Sequence, residues 1–208
     1  MTLIDNNSSA IETERNLKDS AFSKVVKIAL VLNFAMFFVE LFCGIYADSL
    51  ALITDSFDFL GDSLNYLIAI YVLKKSPKIQ SYSAIIKASS MLLFGLYISF
   101  SVVHKALTIQ ILPQSNMMIA IAFLALLVNL GVSVLLFKFR NGSSNQKSVW
   151  LCSRNDAINN LLVIIAGFLI AYFSQQWPDL LVAGIMALLA IFSSVSIFRA
   201  AKNELKHN

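Results

Sequence analysis

Asp55, Asp58 and Asp62 stand at i, i+3 and i+7 in the stretch 48–73, DSLALITDSFDFLGDSLNYLIAIYVL. That spacing sets three carboxylates on one stripe of a helix surface. The stretch is long and apolar enough to cross a bilayer, where one carboxylate near the centre costs about 2.5 kcal/mol or more. Three together call for a proton, a metal ion or water among them. A second constellation lies in WLCSRNDAINNLL, where Cys152 precedes Asp156 by four residues, the spacing that also separates Asp58 from Asp62. Ligands at i and i+4 project from one helix face a turn apart. Two such pairs make four donors, the number a tetrahedral metal site uses. The expected ligands are therefore Asp58, Asp62, Cys152 and Asp156. Asp55, Glu40 and Asn155 are expected around them, as outer partners or a proton path. Asn33, Asn65, Asn129, Asn159 and Asn160 read as hydrogen-bonding contacts between helices. Asp48 reads as solvated at the outer rim, and neither His104 nor His207 falls where it could join the acidic group.

The elements that must carry these residues are membrane spans. The 208 residues are 58% hydrophobic and only 13% charged, whereas soluble domains run near ~25% charged. Spans of about 20 apolar residues match a hydrocarbon core of ~30 Å, and six occur: Ile28–Ala47, Ser49–Leu73, Ser83–Leu107, Met117–Phe137, Val149–Phe173 and Asp179–Phe198. All but Lys105 of the sixteen Lys and Arg residues fall on one side of that arrangement, which places both termini in the cytosol by the positive-inside rule. The expected fold is an all-α membrane protein with six transmembrane helices. Its expected division is a loose cytosolic tail over 1–23, a six-helix domain over 24–199 and a short cytosolic tail over 200–208, with no room for a soluble domain at either end. The first 22 residues lack the apolar core of a signal peptide. Cys43 and Cys152 both lie in apolar runs, so no disulfide framework is expected. Counting ~1.5 Å per residue from the cytosolic ends leaves Asp62 deeper than Asp156; tilt or a longer fifth helix must supply about a turn.

The sequence resembles the cation diffusion facilitator family of divalent-metal/proton antiporters. Asp58-Phe59-Leu60-Gly61-Asp62 matches the family's helix-two motif of His or Asp followed four residues later by Asp. Cys152-Ser153-Arg154-Asn155-Asp156 stands where the helix-five motif stands, and SLALITDSFDFLGD and NDAINNLLVIIAG resemble the surrounding text. The likeness runs from about Lys24 to Lys202. It implies six helices with cytosolic termini and a metal site on helices two and five. Cys152 is unusual in place of histidine. The family's cytosolic C-terminal domain and the histidine-rich loop of some members have no counterpart here.

These readings give one functional expectation: export of Zn²⁺ or Cd²⁺, with Co²⁺ also admitted, from the cytosol in exchange for protons. The chain would be a secondary transporter in a bacterial inner membrane, not an enzyme, with no permanent cofactor and no nucleic-acid partner. A homodimer through the membrane domain is expected, with Gly95 and Ser99 of helix three permitting close approach. Two rivals keep the carboxylates: an Mn²⁺ or Fe²⁺ antiporter with an all-oxygen site, and a proton-coupled exporter of small organic cations. An intramembrane aspartyl protease is disfavoured because Phe59 stands where its Gly-x-Gly-Asp motif needs glycine, and no Tyr-Asp pair occurs. A non-transporting scaffold would leave the buried acids unexplained.

Overall fold

Three prolines punctuate the chain: Pro77 is the first residue of a helix, Pro178 the second residue of another, and Pro113 lies just before a third. These are positions where a missing amide hydrogen costs nothing. Between them the apolar runs form six helices: α1 Thr2–Tyr46, α2 Leu50–Val72, α3 Pro77–Thr108, α4 Ser115–Phe137, α5 Ser144–Phe173 and α6 Trp177–His207. The computed structural model describes the backbone of residues 2–72, 77–108, 111–141 and 144–207. For 2–19, 77–81, 83–84, 144–149 and 206–207, and for Ala69, Val72, Lys87, Leu151, Cys152, Ala200 and Glu204, it describes no side chain. No strand occurs among the described residues.

Among the described residues, five helices contain stretches apolar and long enough to cross a membrane, among them Ser20–Tyr46, Ser115–Phe137 and Trp177–Asn203. The helix outside that group, α2, is the one bearing Asp55, Asp58 and Asp62. The molecule is apolar on the outside, with Phe42, Tyr71, Leu107 and Tyr172 more than 60% exposed. Asn33, Glu40, Asp55, Asn129 and Asn160 are buried within it. That inversion suits lipid as the solvent.

The helices extend past the apolar spans. The segment expected as a loose tail is instead the start of α1. Its described end is packed: Phe22 is 1% exposed and meets the Phe139 ring edge-on at 5.2 Å. Polar residues such as Glu, Asn and Lys do not stop a helix as Pro does, so α6 likewise runs through the expected C-terminal tail.

α1 pairs with α2, α4 with α5 and α3 with α6; α1–α4 and α2–α5 contacts close a four-helix group, and α6 leans on both α2 and α5. The α3–α6 seam is tight. A Cβ added at Gly95 would stand 2.8 Å from Ile191 Cγ1 and 3.0 Å from the Ala187 carbonyl oxygen. Gly95, expected to face a second copy, is thus used within the chain.

At one pole the ends of α1 and α3 meet the starts of α2, α4 and α6. Asp179 is fully buried there and caps α2 from the far end of the sequence. Its Oδ1 accepts from Ser49 Oγ at 2.6 Å and from the Ala51 amide at 3.0 Å, and its Oδ2 accepts from the Leu50 amide at 2.8 Å. A carboxylate at a helix start satisfies amides that have no intrahelical partner and complements the helix dipole. Beside it Asp48 adopts φ 54°, a left-handed conformation that aspartate tolerates. Lys105 Nζ donates to the Asp48 carbonyl and lies 3.1 Å from its carboxylate. Asp48 is therefore ion-paired, not simply solvated as the sequence suggests. The Gln114 amide donates to Ala47 O at 2.9 Å, joining the start of α4 to the same corner.

Candidate metal centre

α2 turns Asp58 and Asp62 toward α5, and α5 turns Asp156 back toward α2. The three line one cavity of about 530 Å³, walled on the remaining sides by Met91 of α3 and by Met186, Ser193 and Ile197 of α6. Asp62 is 7% exposed, whereas Asp58 and Asp156 are half-buried. α5 begins at Ser144, earlier than the expected Val149. That extension supplies the turn missing from the sequence count and lets Asp156 share the cavity with Asp62.

The carboxylates carry uncharged partners. Asn159 Nδ2 lies 3.5 Å from Asp58 Oδ2, a weak bond that bridges α5 to α2. Tyr66 donates to Asp62 Oδ2 at 3.3 Å from one turn further along α2. Asn155, expected near the ligands, lines the cavity with Asn65 and Asn159. Sequence reading assigned Asn65 and Asn159 to helix contacts. Their signal was position: each stands three residues after an acidic candidate and so shares its face. Gly61 also opens on the cavity, and a Cβ there would meet nothing within 4 Å.

Among the described residues no three His, Cys, Asp or Glu side chains converge on a single point that would hold an ion. Cys152, the fourth expected ligand, lies outside the residues with described side chains, although its backbone belongs to α5 one turn before Asp156. His104 is exposed and contacts Thr108 on its own helix, away from the cavity. Asp55 and Glu40 are sealed in the protein and do not line the cavity. An open space of that volume, edged by carboxylates from two helices, can admit a hydrated cation and offer it oxygen ligands.

Residues 26–205 match the pattern of the cation efflux transmembrane domain. The chain belongs to the cation efflux family. It is a multi-pass membrane protein of a transporter family, as its motifs and apolar helices led one to expect. Among curated relatives, a cadmium, cobalt and zinc/H⁺–K⁺ antiporter of Bacillus subtilis is 23% identical over 196 residues, 88% of this chain and 63% of that protein. The metal cation efflux system protein CzcD of Cupriavidus metallidurans is 26% identical over 193 residues, 86% of this chain and 60% of that protein. The chain thus spans less than two thirds of the length of either. Both relatives are bacterial, which fits a bacterial membrane.

Proposed function

We propose that this cation efflux chain exports divalent metal ions from the cytosol in exchange for protons, with both termini cytosolic. The observation that carries the reading is the shared cavity. Carboxylates from α2 (Asp58, Asp62) and α5 (Asp156), separate helices, border one space inside a membrane-spanning bundle. Buried acids in lipid are expensive and have few purely structural uses. Zn²⁺, Cd²⁺ and Co²⁺ are the substrates favoured by the likeness to the Bacillus subtilis cadmium, cobalt and zinc/H⁺–K⁺ antiporter.

In this proposal Asp58, Asp62 and Asp156 take the metal as oxygen ligands, and Cys152 adds a thiolate from the turn below Asp156. Ligands must shed protons to bind, so proton and metal exclude one another at these groups. Lower pH on the outer side then drives release. Asn159 and Tyr66 orient Asp58 and Asp62 by hydrogen bonds. An all-oxygen reading, with Mn²⁺ or Fe²⁺ as substrate, is supported by the oxygen-rich described lining of Asp58, Asp62, Asn65, Asn155, Asp156 and Asn159.

The test is metal-driven proton movement in proteoliposomes, run across Zn²⁺, Cd²⁺, Co²⁺, Mn²⁺ and Fe²⁺. Proton flux stimulated by the first three and lost on chelation is expected. Flux stimulated by Mn²⁺ or Fe²⁺ alone would move the assignment to the all-oxygen site, and absence of flux with every ion would reject antiport.

A further inference from the structure

Glu40 on α1 and Asp55 on α2 form a second acidic feature that the metal cavity does not use. Their exposures are 0% and 1%, and none of their four carboxylate oxygens has a hydrogen-bond donor. The two carboxyl groups lie within hydrogen-bonding reach of each other. Acids spaced along one helix need not amount to anything; Glu40, however, comes from a different helix, is wholly enclosed, and is aimed at Asp55.

Among the described residues, the surrounding charges offer no compensation. The other titratable groups that bear on the pair are Cys43 on α1 and Asp58 on α2. α4, which packs on α1, contains no titratable residue. Of the helices packed on α2, α3 commits Lys105 to Asp48, and α6 commits Asp179 to the first amides of α2. α5 presents Asp156 to the cavity. Two facing carboxylates, both ionised and sealed in a membrane interior with no cation, would carry a heavy desolvation and repulsion cost.

Something positive belongs between them, and the geometry selects its size. Protein metal sites usually gather about three or more side-chain ligands, and among the described residues no third His, Cys, Asp or Glu converges with these two. This pair offers four oxygens in a site closed to solvent. A proton needs one oxygen to sit on and one to bond to.

We propose that Glu40 and Asp55 share a proton and form a counter-ion site separate from the metal ligands. One carboxyl is protonated and donates to the other, leaving a single negative charge in the pair. Asp58, three residues beyond Asp55, couples the two sites. When a divalent ion occupies the cavity, its charge compensates a fully ionised pair, and the shared proton is released. When the ion departs, one proton returns. The inference rests on the antiport reading, and deepens it by naming a carrier for part of the proton exchange.

Two measurements on the whole protein test it. Dicyclohexylcarbodiimide adds to protonated carboxyl groups in apolar surroundings. Peptide mass analysis is expected to find the adduct on Glu40 or Asp55, with labelling reduced by Cd²⁺. In detergent, Cd²⁺ binding is expected to persist in Glu40→Gln and Asp55→Asn, while proton release falls by about one per ion bound. Glu40→Asp should restore it. Release equal to the parent in both variants, or labelling that spares both residues, would overturn the pair. If a variant fails to fold, the labelling of the parent decides alone. A parent protein that binds no Cd²⁺ but is labelled at the pair would sink the proposed metal substrate and leave the proton site standing.

Discussion

At the scale of single residues, Asp62 and Asp156 have the most to lose. Each closes one i, i+4 pair, and each borders the cavity from a different helix. Asp62→Ala and Asp156→Ala are expected to abolish uptake of Cd²⁺ into everted vesicles while the protein still assembles in the membrane. Full exchange by either variant would remove the cavity from the mechanism. Cys152 is the residue whose substitution tests selectivity. A thiolate favours soft ions, whereas Mn²⁺ prefers oxygen. Cys152→Ser should therefore weaken Cd²⁺ transport about tenfold or more, equivalent to ~1.4 kcal/mol, and leave Mn²⁺ transport within twofold. Asp62 and Asp156 were legible as cavity residues because a charge in an apolar run is conspicuous. Asn159 was not, since an amide in a span serves helix packing as readily as a binding site. Nor was the meeting of Glu40 with Asp55, because nothing in either run says which face of α1 meets α2.

Among elements, Gly95 in the α3–α6 seam and Gly61 on α2 at the cavity separate packing from access. Gly95→Leu drives a side chain into Ile191 and the Ala187 carbonyl. An over-packed seam costs about 1–3 kcal/mol, so a drop in thermal midpoint in detergent is expected. Gly61→Ala meets open space and gains up to ~1 kcal/mol of helix propensity. Its midpoint should hold or rise, whereas Gly61→Leu should slow transport by filling the cavity without unfolding the protein. An unchanged midpoint in Gly95→Leu would mean that the seam yields. The number and order of helices followed from span length and proline placement. Their ends did not, because hydrophobicity reports where lipid stops and not where the backbone spiral stops. α1 and α6 continue through polar sequence for that reason.

For the whole molecule, polarity is inverted relative to a soluble bundle, and lysine and arginine mark the faces. Single cysteines placed near residue 20 and residue 203 should be labelled only from the cytosolic side in intact cells, and one at Thr108 only from outside. Labelling of the two ends from opposite sides would refute the even number of crossings. The inversion also explains why composition revealed the class at once, while the pairing of α1 with α4 and of α3 with α6 depended on shape and small residues, which a linear pattern does not display.

Asp179 has a bearing on how the chain is made. The first amides of α2 and the Ser49 hydroxyl find their acceptor 128 to 130 residues later in the chain. During synthesis, α2 must wait for α6 before its start is secured. It waits as the helix least suited to lipid, since three carboxylates burden it. A nascent chain arrested before Trp177 should therefore leave a cysteine at position 51 open to a water-soluble maleimide. The complete chain, in which Ala51 is wholly enclosed, should protect it. Asp179→Ala should remain open at full length, and should lower the thermal midpoint by the equivalent of about 2–4 kcal/mol for the orphaned donors. Equal protection in arrested and complete chains would mean that α2 settles unaided.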